Sequence, residues 1–219
     1  MNHSPEVLRE RLGEAARYAL LRRMAPALRH DMAGALQPVS MMAAMLEKRL
    51  QKPDPDMVAL GKNTSAISAL AREASASCMG LMTWLAPRED VPLAVSTCVA
   101  ESLGLVATEM SFRGINLVNE TEGAEGKALL SSLRGVFMAS LLALTDECVG
   151  PSDVVLTVVP AGSATLLDIR VSASSGEVMM TDGSPAYRKL GWDDVEALAE
   201  AQGVGLVHSP GHVELRFPA

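Results

Sequence analysis

Residues Leu28 to Leu50 read LRHDMAGALQPVSMMAAMLEKRL. Leu28, Met32, Leu36, Val39, Met42, Leu46 and Leu50 follow one another at steps of three or four residues, the spacing of a helix with one apolar stripe. At about 100° per residue, His30 lies about 200° around the helix from Leu28, away from that stripe. Its neighbours one turn away are Pro26, Ala27, Ala33 and Gly34, all small or compact. These four, with Gln37, are the expected partner-contact positions. The pattern predicts an imidazole that faces solvent with a clear approach and a carboxylate, Asp31, beside it. Such a histidine can act as a nucleophile, and the carboxylate can orient its ring or handle its proton.

Working outward, residues 1 to 50 read as helix, with Pro26 marking a break and Pro38 bending or loosening a turn. Gln51-Lys52-Pro53-Asp54-Pro55-Asp56 ends it, since two prolines and two aspartates in a row of six cannot continue a helix. A second helix follows, with a seam at Met57, Leu60, Thr64, Ile67, Ala71, Ala74, Cys78, Leu81 and Leu85, closed by Pro87. Two long helices joined by a short turn make an antiparallel hairpin. One hairpin cannot cover both stripes, so a second copy is expected to close a dimeric four-helix bundle. The hairpin domain spans residues 1–87, and the charged stretch Arg88 to Pro92 is the linker.

The second domain spans residues 93–219 and changes pattern. Leu93 to Phe112 reads as helix, Ile115 to Asn119 as a short strand and Lys127 to Cys148 as a strongly apolar helix. Val154 to Val159 and Thr165 to Ala173 are β-branched runs around Pro160-Ala161-Gly162, a hairpin. Trp192 to Gln202 reads as helix ended by Gly203. Val204 to His208 and His212 to Phe217 form a last hairpin around Ser209-Pro210-Gly211. The fold class is therefore α+β: a helical hairpin, then an α/β sandwich with helices on one face of a mixed sheet.

Composition narrows the function. Of 219 residues, 48% are hydrophobic and 21% charged, a globular balance. Aromatics are 3% against 13 methionines, which favours helix-rich packing. A formal charge of −7 leaves no basic excess to neutralise phosphates, so no nucleic-acid partner is expected. Cys78, Cys98 and Cys148 are odd in number and widely spaced, so neither a disulfide framework nor a zinc site is indicated. The N-terminus carries Glu6, Arg9, Glu10 and Arg11 with no apolar core of a leader, and the apolar run from Leu129 to Leu144 is too short to span a bilayer. The expected location is the cytoplasm, with no membrane association.

Arg29-His30-Asp31-Met32, with Leu36, resembles the phospho-acceptor box of bacterial sensor histidine kinases. There a histidine followed by an acidic and an apolar residue sits on the first helix of a dimeric hairpin. The family's Thr or Asn four residues on, associated with phosphatase activity, is Gly34 here, and its Pro is Ala35; the resemblance does not extend to that activity. From Leu93 onward the order of elements resembles the Bergerat-type ATP-binding domain of the same kinases, most closely from Val195 to Pro218. That domain's nucleotide residues are missing. Ala143 stands at the magnesium-holding Asn, with Asp146 and Glu147 nearby as a polar helix end. Ala173 stands at the adenine-reading Asp and Ser175 at a glycine, and Asp182-Gly183-Ser184-Pro185 is a poor lid motif. The resemblance implies no ATP binding, no kinase activity and no cofactor of the chain's own.

A dimeric hairpin with a degenerate ATP-binding domain is similar to the ChpT-like histidine phosphotransferases. This implies a two-component phosphorelay role, in which His30, with Asp31, shuttles a phosphoryl group between the aspartates of response-regulator receiver domains. The receiver would supply the magnesium. The same pattern also fits a catalytically inactive regulator that binds a receiver or a kinase, with His30 incidental.

Overall fold

The computed structural model describes residues 4–85, 91–175 and 188–218. The chain divides into two compact units, one of Pro26–Arg88 and one of Met1–Ala25 with Glu89–Ala219. The division falls inside the first helix, α1, Pro5–Leu50, which runs unbroken through Pro26 and Pro38. Each proline removes one backbone donor and crowds the preceding turn without ending the helix.

The smaller unit is a helical hairpin. α1 ends in the turn at 51–56, and α2, Met57–Leu85, returns. Asp56 starts α2: its Oδ1 accepts the backbone N–H of Val58 at 2.9 Å and of Ala59 at 3.0 Å, satisfying donors that a helix N-terminus leaves open. Leu28, Leu60, Ala74 and Leu81 are buried. The packed line on α2 includes Asn63, whose Oδ1 accepts from Arg49 Nη1 at 3.2 Å, while Met57, Thr64 and Ala71 of the expected seam are exposed. On α1, Met32, Val39, Met42 and Leu46 are half-buried, and Leu36 and Leu50 are exposed.

In the larger unit a five-stranded sheet has the order β2-β4-β5-β7-β6. Its strands are β2 (Ile115–Asn119), β4 (Ser152–Ala161), β5 (Ala164–Ala173), β6 (Gly205–Ser209) and β7 (His212–Phe217). β2 runs parallel to β4, and the other pairs are antiparallel. Leu156, Leu167, Ile169, Val213, Leu215 and Phe217 point from the sheet into the core, where they meet α3 (Val95–Phe112), α5 (Met138–Asp146) and α6 (Trp192–Gln202). Every residue of α5 is buried. Gly203 ends α6 at φ 64°, a left-handed conformation that glycine adopts without strain.

Two further expectations need correction. Lys127 to Cys148 is not one helix. Lys127–Leu129 is a strand, β3, paired antiparallel with β1, Pro92–Ala94; this pairing also delays the start of α3 to Val95. Leu130–Ser132 (α4), a π-turn at Leu133–Phe137 and α5 then follow in succession. A three-residue strand is fixed by its distant partner rather than by local pattern. Residues 4–25, which the expected hairpin domain of residues 1–87 included, belong to the larger unit. There Ala16, Ala19, Leu20, Arg23 and Met24 are at most 4% exposed. A Cβ at Gly13 would lie 2.8 Å from Ala201 Cβ, so the small-residue face of α1 lets it approach α6 closely. The linker residues 88–90 lie outside the described residues. Among the described residues, no helix is long and apolar enough to cross a membrane.

Candidate functional site

His30 and Asp31 stand on successive exposed positions of α1. They line a cleft of about 330 Å³ within the hairpin. α1 contributes His30, Asp31, Gly34, Ala35 and Pro38, and α2 contributes Leu70, Glu73, Ala74 and Ser77. The walls beside the imidazole are short: a Cβ placed at Gly34 would meet nothing within 4 Å. The ionisable groups of the cleft are one imidazole and two carboxylates, with no lysine or arginine among its lining residues.

Of the positions expected to meet a partner, Gly34 lines this cleft. Ala33 and Gln37 are exposed elsewhere on α1, and Pro26 and Ala27 are half-buried. Glu73 and Ser77 were not singled out from the sequence. Antiparallel geometry contained a signal for them: reflecting position 30 about the middle of the turn, between Pro53 and Asp54, gives position 77.

The resemblance puts the nucleotide-holding positions at Ala143, Ala173 and Ser175. Ala143 is 3% exposed inside α5, and neither it nor Ala173 has a side-chain group that coordinates magnesium or reads a base, while Ser175 offers a single hydroxyl where a glycine was expected. Asp182 to Pro185 lie outside the described residues. The acidic end of α5 is already engaged within the chain. Asp146 Oδ1 accepts from Arg113 Nη1 at 2.9 Å and lies 3.5 Å from Arg23 Nη2. Arg23 also forms a two-pronged pair with Glu109. Arg113 Nη2 donates to the Thr145 carbonyl at 2.7 Å, Lys189 Nζ to the Asp146 carbonyl at 3.0 Å, and Trp192 Nε1 to Glu147 Oε1 at 2.6 Å. Burial alone would raise the Glu109 pKa, but its bond to Arg23 and the charges of Arg23 and Arg113 outweigh that and hold it below the ordinary carboxylate range.

No family model and no curated protein matches the sequence. Among solved structures the chain is similar to the Acinetobacter baumannii histidine kinase AdeS, at 11% identity and a TM-score of 0.44, over 83% of this chain and 96% of that one. It is similar to a histidine kinase from Burkholderia phymatum at 16% identity and a TM-score of 0.43, over 90% and 97% of the two chains. A third likeness is to histidine kinase ThkA in complex with response regulator protein TrrA, at 14% identity and a TM-score of 0.43, over 97% of this chain and 65% of that one.

Proposed function

We propose that this chain is a histidine phosphotransferase of a two-component phosphorelay, passing a phosphoryl group between receiver-domain aspartates through His30. The observation that carries this reading is the exposed His30 beside Asp31 in an open, short-walled cleft of the hairpin. A neutral ring nitrogen attacks the phosphorus of an aspartyl phosphate, the P–O bond breaks, and the electron pair leaves on the aspartate carboxylate. Asp31 orients the ring and handles its proton. The cleft has no cation among its lining residues, which suits a partner that brings a divalent metal and half of the active site. On this reading the larger unit takes no part as a kinase, because Ala143 and Ala173, at the positions the resemblance gives to the magnesium ligand and the base reader, have no polar side-chain group.

The test is acid-labile label on the full chain after incubation with a radiolabelled phospho-receiver domain and magnesium. Wild type should take up label. His30→Gln should lose it with fold intact, and Asp31→Asn should slow uptake by about 10²-fold. Label at the wild-type level in the His30→Gln chain would remove His30 from the mechanism. Receiver binding without transfer in the wild type would favour the alternative, a non-catalytic regulator.

A further inference from the structure

The sheet carries a second histidine with a chemically specific setting. Leu167, Ile169, Val213 and Leu215 are fully buried on the helix-facing side of β5 and β7, so by the two-residue alternation of a strand Asp168, Arg170, His212 and Glu214 lie on the opposite face. In register, Arg170 stands across from His212 and Asp168 across from Glu214. β6 places Ser209 beside His212, and β4 places Thr157 beside Asp168. His212 Nε2 lies 2.6 Å from Asp168 Oδ2, and Arg170 Nε donates to Asp168 Oδ1 at 2.6 Å. The side chains of Asp168, His212 and Arg170 are 11%, 34% and 71% exposed.

This geometry fixes the histidine's tautomer. Burial would raise the Asp168 pKa, but bonds from Arg170 and His212 outweigh it and hold the group below the ordinary range, so it is ionised at neutral pH. An ionised carboxylate only accepts, so Nε2 carries a proton, and in the neutral form of the ring the lone pair is on Nδ1. We propose that His212 is a second phosphoryl acceptor, taking the group at Nδ1 from a free acyl phosphate, with Asp168 as its positioning residue. Nδ1 attacks phosphorus, the P–O bond to the acyl group breaks, and the electron pair departs on the carboxylate. Nε2 keeps its proton, so the phosphorylated ring carries a positive charge that Asp168 balances across 2.6 Å. Arg170 stands on the same face, with its side chain 71% exposed and its Nε bonded to Asp168. A free acyl phosphate needs no docking surface, so a flat sheet face is sufficient for it.

The probe is radiolabelled acetyl phosphate with magnesium, on the full chain. Acid-labile label is mapped to peptides, and the phosphohistidine isomer is read by NMR. The His30→Gln chain should still be labelled, on the peptide that contains His212 and as the Nδ1 isomer. His30→Gln with His212→Gln should not be labelled there. Asp168→Asn in the His30→Gln background should slow labelling of His212 by about tenfold or more, while circular dichroism and melting temperature report the fold. Arg170→Lys, which keeps the charge beside Asp168, should label within a few-fold of its parent. No label at His212, label on Nε2 alone, or an unchanged rate in Asp168→Asn would each overturn the proposal. None of these readouts uses a receiver domain, so they fail or succeed separately from transfer at His30.

Discussion

Arg23 is the residue whose loss should be felt most widely in the larger unit. It is 4% exposed and pairs with Glu109 and Asp146. Removing one member of a buried ion cluster leaves charge without compensation, and Arg23→Met should cost about 3 kcal/mol, the lower end of the usual range because Arg113 still reaches both carboxylates. Denaturant unfolding measures it. The pH dependence has a definite sign. Glu109 has a folded pKa below its unfolded value, so its stabilisation is complete above the unfolded value of about 4.3 and is lost as pH falls through the folded one. The gap between wild type and Arg23→Met should therefore close on acidification below about pH 4; a gap that widened would contradict the pairing. Position along the chain does not reveal this role, since Arg22 and Arg23 are identical neighbours in sequence and the fold buries Arg23 while leaving Arg22 exposed. The exposure of His30 was legible because it follows from local spacing. Glu73 and Ser77 were not, because they reach the cleft only through the fold-back of the hairpin.

At the scale of elements, two glycines should respond in opposite ways. Gly13 touches α6, and Gly13→Leu forces a side chain into Ala201, at an expected cost of about 1–3 kcal/mol in thermal or denaturant unfolding. A Cβ at Gly34 meets nothing and arginine is the better helix former, so Gly34→Arg should not lower the melting temperature while obstructing transfer to His30. An unaffected transfer rate would place the partner elsewhere on the hairpin. α6 and the two hairpins of the sheet were readable because each has a local period and its own turn residues. β1 and β3 were not: three residues have no period, and each strand exists only because the other lies beside it.

The whole molecule presents an apolar surface that a single chain leaves open. On the smaller unit Leu36, Met41, Met45, Met79 and Met82 are 45–63% exposed. Exposed apolar residues on both helices are what a bundle partner would cover. Light scattering should report a dimer. Met41→Glu with Met45→Glu should shift it toward monomer without unfolding the chain, since neither residue is buried within one copy. A monomeric mass for the natural sequence at micromolar concentration would rule out the bundle. The hairpin was legible as a topology because its turn is unmistakable. The assignment of residues 4–25 was not, because one uninterrupted helix serves both units.

The π-turn at Leu133–Phe137 gives this chain an unusual sensitivity to deletion. A widened turn holds one residue more than regular winding, which sets the helix before and after it out of phase by about 100°. Deleting a single residue there would restore regular winding and rotate Leu130–Ser132 by that angle about the axis. The strand Lys127–Leu129 immediately upstream would then turn its edge away from Pro92–Ala94. A frame-preserving loss of one codon in this short stretch should therefore do more damage than most substitutions within it, because the error is one of phase and propagates along the helix.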